Sequence, residues 1–224
     1  MIVVSFSGID GAGKSTQIAA LQSLCARAGL RTATITFWDH VVVLSRHREV
    51  LSHVVFKGEK GIGTPAKPVR RRDKNIRTWY MTAVRHVLYL LDALHLRWIF
   101  TRLQSDPADI VIFDRYIYDE LANLPLQSTF TRMYIRLLLK LAPSPHVAYL
   151  LDVDPEDAVR RKPEYPLAFV HANRAAYLSL SRSIPVMAVI PPGTAAEVEA
   201  RVAGRILAQL PPLPIHCPSA AGVP

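Results

Sequence analysis

Residues 2–16 read IVVSFSGIDGAGKST, an apolar run that leads into the loop pattern G-x-x-x-x-G-K-S between Gly8 and Ser15. A run with helical character follows as far as residue 28. Glycines allow a backbone to turn tightly around phosphate groups and to present its N–H groups at the positive end of a helix. Lys14 adds a mobile positive charge, and the Ser15 hydroxyl is a ligand suited to Mg²⁺. The stretch therefore predicts a strand, a loop and a helix that bind a nucleotide polyphosphate.

Length and composition limit the architecture. The chain has 224 residues, of which 50% are hydrophobic, enough for one sizeable core and few for two. We therefore expect a single domain over residues 1–210, followed by a disordered, Pro-rich tail at 211–224. Cys25 and Cys217 are far apart and no secretion signal precedes the first strand, which favours a reduced, cytoplasmic protein. No run approaches the ~20 apolar residues of a membrane helix, so no membrane association is expected.

The positive charge is concentrated in one segment. Residues 57–77 hold eight Lys or Arg and two acidic residues, which makes +6 of the formal net charge of +9. The segment is also rich in Gly and Pro, so it is either a mobile, solvated loop or a loop that meets an anionic substrate or partner. These two interpretations remain equally open. A nucleic-acid partner is not expected, because no helix-turn-helix or aromatic RNA-binding signature accompanies the charge.

The remainder of the chain alternates between strand-like and helix-like patterns. Five short, β-branched runs have the character of buried parallel strands, at 2–6, 32–37, 109–113, 146–151 and 185–190. Helical patterns lie between and after them, at 16–28, 75–103, 129–141, 155–161, 167–182 and 195–210. Such alternation predicts an α/β fold, a three-layer sandwich with a five-stranded parallel sheet and helices on both faces.

In such a sheet ligands gather at the carboxyl ends of the strands, so the polar residues found there are the candidates for chemistry. Asp114 closes the third run, a position from which a carboxylate can hold Mg²⁺ directly or through water. Arg115 follows it, and a guanidinium beside the loop offers paired donors to phosphoryl oxygens. The alternative is that the two residues cap a helix or form a surface ion pair.

At this point the sequence resembles a known family. Residues 6–17 (FSGIDGAGKSTQ), together with Asp114, Arg115 and Tyr116, look like the phosphate loop and Asp-Arg-Tyr motif of thymidylate kinases. Residues 150–158 (LLDVDPEDA) are similar to that family's fourth strand and the start of its lid, and 169–178 (FVHANRAAYL) to the helix after the lid. The resemblance covers roughly residues 1–40 and 85–185.

The resemblance implies a P-loop NTPase fold in which ATP, with Mg²⁺, donates its γ-phosphoryl group to a nucleoside monophosphate such as dTMP. It implies donor-phosphate binding by the loop residues Gly8, Gly11, Ala12, Gly13, Lys14, Ser15 and Thr16. It implies magnesium binding by Ser15 and Asp114. It implies catalytic roles for Lys14, Asp10, Arg115 and the lid residues Arg160 and Arg161, in a short lid at about 160–168. The acceptor would contact Asp10, Phe37, Asp39, Arg115 and Tyr116. A homodimer through the long helix at 75–103 is also implied.

The chain departs from the family where the acceptor would bind. The Ser-Ser-x-Ala-Tyr-Gln run that helps the family read thymine is DELANL at 119–124, and the family's Ala-Asp-Arg motif is Leu-Asp-Ala at 91–93. Arg97 and His95 are the substitutes at hand for the lost arginine. The changes at 119–124 add carboxylates near the expected position of the base and remove polar readers, which weakens discrimination.

These departures leave two further functions open. Asp39, at the end of the second strand, could act as a general base toward a nucleoside or another small hydroxyl-bearing or phosphate-bearing metabolite, although capping a helix is as good an account of it. A third function is a nucleotide-dependent switch whose basic loop at 57–77 binds nucleic acid or an acidic partner.

Overall fold

The structure is a computed structural model, and it describes residues 1–43 and 79–209. The basic loop expected at 57–77 and the tail expected at 211–224 lie outside the described residues. So do the side chains of Trp79 and Tyr80, two aromatic residues near the start of the long helical pattern.

The centre of the molecule is a sheet of five parallel strands in the order β2-β3-β1-β4-β5. The strands are β1 Ile2–Ser7, β2 Thr32–Thr36, β3 Ile110–Asp114, β4 Val147–Leu151 and β5 Met187–Ile190. β1, β3 and β4 are almost wholly buried and mostly apolar, as parallel strands covered on both sides must be, with Ser5 and Ser7 of β1 and Asp114 at the end of β3 as the polar exceptions. All five predicted strands are confirmed, with ends shifted by two residues at most.

Seven α-helices are described around the sheet. They are α1 Lys14–Arg27, α2 Trp79–Leu103, α3 Ile117–Leu121, α4 Thr129–Leu141, α5 Pro155–Arg161, α6 Leu167–Ser181 and α7 Ala195–Leu207. Side-chain caps begin several of them: the Asp154 carboxylate accepts the N–H of Glu156 at 3.0 Å before α5, and Thr194 forms a capping box with Glu197 before α7. The short α3 and a π-helical turn at Phe37–Val41 are additions that the sequence pattern does not predict.

Two hydrophobic clusters divide the core between the faces of the sheet. Val4 and Phe6 of β1 face one cluster, with residues of α1 and α7. Val3 of the same strand faces the other, with residues of α2, α3, α4 and α6. Successive residues of a strand point to opposite faces, so one strand supplies both clusters. The prediction of a three-layer α/β P-loop fold is confirmed.

The topology brings the ends of β1 and β3 together. Phe6 lies opposite Asp114 in register, and β1 occupies the middle of the sheet between β3 and β4. The chain reverses its direction of winding there, and open α/β sheets bind their ligands at such a point. No helix in the described part of the chain has both the length and the apolar character that crossing a bilayer requires.

Candidate active site

The loop after β1 has the geometry of a phosphate cradle. Gly8, Gly11 and Gly13 all have positive φ, of 141°, 86° and 85°, and Gly13 is the residue on which α1 begins. The left-handed values at Gly11 and Gly13 are open to glycine and costly for most other residues. Ser15 and Thr16, in the first turn of α1, are exposed. The loop therefore ends at a helix N-terminus with two exposed hydroxyl-bearing residues in its first turn.

Lys14 is held inside this loop. Its Nζ donates to the carbonyl oxygens of Gly8 at 2.8 Å and Ile9 at 3.0 Å, and the residue is only 7% exposed. Burial, followed by the positive charge of Arg115, lowers the pKa of Lys14 from its usual 10.5 to about 8. The ammonium of Lys14 therefore titrates near pH 8, and a negatively charged ligand beside it would stabilise its charged form.

Arg115 is fixed by contacts to both its backbone and its guanidinium. Its φ of 69° is left-handed, and its N–H donates to the carbonyl of Phe6 at 3.0 Å. Such a backbone costs a non-glycine residue about 1–3 kcal/mol. Nη2 is paired with the Asp10 carboxylate of the loop, and Nη1 lies 3.2 Å from Oδ1 of Asp119. Burial opposes the charge of Arg115, but these two carboxylates outweigh it and raise its pKa. The structure thus brings two of the predicted site residues, Asp10 and Arg115, into contact.

Asp114 ends β3 beside this pair. It is partly buried and lies opposite Phe6 in the sheet, next to the strand that carries the loop, and its negative charge acts to raise the pKa of Lys14. Asp114 and the exposed Ser15 thus place two oxygen-bearing side chains at the same edge of the sheet.

The sequence prediction missed the role of Asp119. This residue is buried and accepts hydrogen bonds from Ser7, Arg115, Tyr177 and the backbone of Tyr116. Asp119 and Glu120, the carboxylates expected near the base, are 4% and 1% exposed, and neither is among the described residues that line the crevice below. The position of Asp119 four residues after Arg115, on a helical turn, is the one sequence signal that could have indicated the contact.

A crevice lies between the loop, Arg115 and the segment from α5 to α6, with about 360 Å³ of space that includes open solvent at its mouth. Its lining consists of Gly8, Ile9, Asp10, Arg115, Lys162, Tyr165, Phe169, Val170, Asn173 and Tyr177. Five of these come from residues 162–173, which the sequence prediction treats only as lid and following helix. Tyr165 and Phe169 stack on each other, with ring centroids 4.9 Å apart, and Lys162 is paired with Glu164 at 3.1 Å.

The two lid arginines differ in their placement. Arg161 Nη1 donates to the carbonyl of Gly11 at 3.4 Å and so reaches the phosphate loop. Arg160 is 74% exposed and is paired with Asp157 at 3.0 Å. Residues 162–166 connect α5 to α6. Of the two arginines, the structure places Arg161 at the loop and Arg160 away from it.

Three predicted acceptor-binding residues lie elsewhere. Phe37 and Tyr116 are 0% exposed, and the Tyr116 hydroxyl donates to the carbonyl of Pro143 at 2.5 Å. Both rings belong to the hydrophobic core, because the apolar side chains just after β2 and β3 point into the protein interior. Asp39 is exposed on the π-helical turn and is not among the described residues that line the crevice.

His95 and Arg97, suggested as substitutes for the arginine of the family's Ala-Asp-Arg motif, are likewise not among the described residues that line the crevice. Nδ1 of His95 is 2.7 Å from the carbonyl of Val41, and Arg97 is exposed. Asp92 accepts the N–H of Val43 at 2.7 Å. His95 and Asp92 therefore hold the end of the π-helical turn.

Comparisons with known proteins place this geometry in context. No family model matches the chain. The chain is 28% identical over 195 residues to a thymidylate kinase of Bifidobacterium longum subsp. infantis, covering 82% of this chain and 76% of that protein. It is 27% identical over 186 residues to a thymidylate kinase of Chlorobium phaeobacteroides, covering 77% and 71%.

Solved structures share the fold. Thymidylate kinase from Ehrlichia chaffeensis superposes with a TM-score of 0.59 at 18% identity, over 92% of this chain and 98% of the other. Thymidylate kinase from Candida albicans gives the same score and identity, over 93% and 92%. By sequence over most of its length and by fold, the chain is similar to thymidylate kinases, as a divergent relative of them.

Proposed function

We propose that this protein transfers the γ-phosphoryl group of ATP to a nucleoside monophosphate, with dTMP as the first acceptor to test. The observation that carries the proposal is the contact between Asp10 of the phosphate loop and Arg115 at the wall of the crevice. One charged pair thereby joins the loop expected to hold the donor to the cavity expected to hold the acceptor. The thymidylate kinase relatives support dTMP in particular.

The donor side follows from the loop. Its N–H groups, the ammonium of Lys14 and the guanidinium of Arg161 would neutralise the donor phosphates. The hydroxyl of Ser15 and the carboxylate of Asp114 suit Mg²⁺, which retains waters and phosphate oxygens as its other ligands. Bound Mg²⁺ would supply charge neutralisation between the phosphates. The described residues contain no group of three or more His, Cys, Asp or Glu side chains that could hold a metal by themselves.

The acceptor side follows from Arg115. A phosphate entering the crevice would meet Nη2, at present paired with Asp10, while Asp10 would turn toward the acceptor sugar. The acceptor phosphate is already ionised, so the reaction needs no general base. Alignment of the two phosphates, neutralisation of their charge and exclusion of water by the lid would supply the catalysis.

The other two functions receive less support. Phosphorylation of a nucleoside would need a base beside the acceptor hydroxyl, and the candidate Asp39 is exposed outside the crevice lining. The switch hypothesis depends on residues 57–77, which lie outside the described residues, and the curated relatives are named as kinases.

The experiment is an acceptor panel. Purified protein is mixed with ATP, Mg²⁺ and single nucleoside monophosphates or nucleosides, and ADP release and product mass are measured. We expect turnover with dTMP or another monophosphate, loss of that turnover in Lys14→Ala, and near-normal turnover in Asp39→Asn. Absence of a phosphorylated product from every monophosphate would refute the proposal, and a loss of about a hundredfold in Asp39→Asn would revive the nucleoside alternative.

We also propose that the protein is a homodimer. Five exposed apolar residues lie along α2 at alternating steps of three and four residues: Val84, Val87, Leu91, Leu94 and Trp98. The neighbouring α4 adds Phe130, Met133 and Leu137, which are 69%, 64% and 47% exposed. Stripes of this spacing are typical of helix pairs between subunits.

Sedimentation velocity tests the dimer. Val87→Glu places a charge in the α2 stripe and should convert a dimer into a monomer. Ala200→Glu, which adds the same charge to an exposed position of α7, should leave the dimer intact. A wild-type protein that sediments as a monomer at all concentrations would contradict the proposal.

Finally, we propose the cytoplasm as the compartment. Cys25 is a free, buried thiol, and none of the described helices could span a membrane. A reducing compartment supplied with ATP suits both the thiol and the proposed reaction.

A further inference from the structure

Asp119 connects three separate parts of the molecule through four hydrogen bonds. Its carboxylate accepts hydrogen bonds from the Ser7 hydroxyl of β1, the Tyr116 N–H before α3, the Tyr177 hydroxyl of α6 and the Arg115 guanidinium. The side chain is 5% exposed. A buried carboxylate is stable only where such donors replace its water, and four donors use most of its acceptor capacity.

The two oxygens of Asp119 have different partners. Oδ2 accepts from Ser7 at 2.7 Å and from the N–H of Tyr116 at 3.1 Å. Oδ1 accepts from Tyr177 at 2.8 Å and from Nη1 of Arg115 at 3.2 Å. One oxygen is thus fixed by β1 and the start of α3, and the other faces the crevice side, where Tyr177 and Arg115 are lining residues.

This arrangement restricts Arg115. A long arginine side chain carries about 2 kcal/mol of rotamer entropy, so holding it in one orientation requires specific partners. Nη1 is taken by Asp119 and Nη2 by Asp10, and the backbone is held by its bond to Phe6. Asp119 lies behind the guanidinium in the interior, whereas Asp10 lines the crevice that a substrate would enter. Substrate would therefore compete for Nη2 and leave the bond to Asp119 in place.

We propose that Asp119 is a positioning residue for phosphoryl transfer, which holds Arg115 through Nη1 so that Nη2 remains directed toward the crevice. The proposal rests on the proposed function, since it names the residue that orients the arginine of that same site. Asp119 does not touch the substrate in this scheme. It acts only through Arg115.

The first test is the kinetics of Asp119→Asn, which keeps the shape and removes the charge. We expect kcat to fall by about 10- to 100-fold while KM for ATP changes by less than about threefold, because the donor binds to the loop. Ser7→Ala is the matched control: it removes a bond to the other oxygen and should change kcat by less than about threefold. Tyr177→Phe removes one hydrogen bond to Oδ1 of Asp119, the oxygen that also binds Arg115, and should reduce kcat more than Ser7→Ala does. If Ser7→Ala equals or exceeds Tyr177→Phe, the carboxylate serves the fold and the proposal is overturned.

A double-mutant cycle decides whether Asp119 acts through Arg115. In an Arg115→Ala background, Asp119→Asn should lower kcat by less than about twofold, because there is no guanidinium left to orient. A further tenfold loss in that background would overturn the proposal.

An NMR measurement separates this proposal from the kinase assignment, since it needs no turnover. The side-chain Nε–Hε signal of Arg115, assigned with Arg115→Lys, should show restricted guanidinium rotation in the wild-type protein and fast averaging in Tyr177→Phe and Asp119→Asn. If no acceptor is phosphorylated, the proposed function fails, but the NMR measurement still tests whether Asp119 restricts the guanidinium of Arg115. Identical Arg115 signals in wild type and both variants would overturn the positioning role whatever the enzyme's activity.

Discussion

Raising the pH should weaken nucleotide binding through a single group, Lys14. Burial and the nearby Arg115 lower its pKa to about 8, whereas the phosphates of a nucleotide would add negative charge beside the ammonium and raise the pKa again. The complex therefore binds more protons than the free protein at any pH between those two values. By linkage, affinity is highest below pH 8 and falls as the pH rises above it.

The size of the effect follows from the two pKa values. The difference between 10.5 and about 8 corresponds to roughly 3.5 kcal/mol, at about 1.4 kcal/mol per pKa unit, which is the most that a ligand can gain by restoring the usual pKa. At pH 7 most Lys14 side chains in the free protein are charged, and at pH 9 roughly one in eleven is. Affinity for Mg²⁺-ADP should therefore fall about tenfold between pH 7 and pH 9.

Isothermal titration calorimetry measures both the affinity and the proton uptake. Titrations of Mg²⁺-ADP in two buffers of different ionisation enthalpy should show close to one proton taken up per nucleotide at pH 9 and about a tenth of a proton at pH 7. Lys14→Arg is the control, because a guanidinium stays charged throughout this range and its binding should not change with pH. Constant wild-type affinity from pH 7 to pH 9, without proton uptake, would refute the reasoning.

Two further pairs of variants test the contacts between the phosphate loop and α5. A Cβ on Gly11 would lie 2.5 Å from the Ala158 carbonyl oxygen, whereas one on Gly13 meets nothing within 4 Å, although both residues have left-handed φ. Gly11→Ala should therefore cost about 2 kcal/mol more than Gly13→Ala in urea unfolding, and equal losses would show that backbone strain alone matters. Arg161→Ala should lower kcat about tenfold or more and Arg160→Ala about twofold or less, because one arginine reaches the loop and the other is exposed on α5. The opposite order in steady-state kinetics would reverse the assignment of the lid arginine.

The sheet and the centre of the site are predictable from local patterns. Buried β-branched runs identify the strands, and parallel topology brings all their carboxyl ends to one edge. Asp10 and Arg115 lie 105 positions apart in sequence, yet each follows one of two adjacent strands. The shared position of the carboxyl ends of parallel strands is therefore enough to predict that the two residues lie close together. The strongest predictions are those in which the fold itself brings the residues together.

The direction of individual side chains was less predictable. Tyr116 follows Arg115 directly, and neighbouring residues at a strand end point to opposite sides, so the ring enters the core where Phe37 also lies. Arg160 and Arg161 are about 100° apart around α5, and the sequence does not show which side faces the loop. Tyr177 reaches Asp119 across 58 positions, a contact that no local spacing indicates.

The place of β1 in the sheet has a consequence for identifying the acceptor. β1 is bonded on both edges, by β3 and β4, and the amide hydrogens of such a central strand exchange with solvent mainly when the whole domain opens. A ligand on the loop that β1 carries therefore stabilises the molecule as a whole, by about 2.7 kcal/mol at a hundred times its Kd. That free energy raises the melting temperature by several degrees in a domain of this size. Melting curves recorded with each nucleoside monophosphate can thus rank the acceptors by affinity before any of them is turned over.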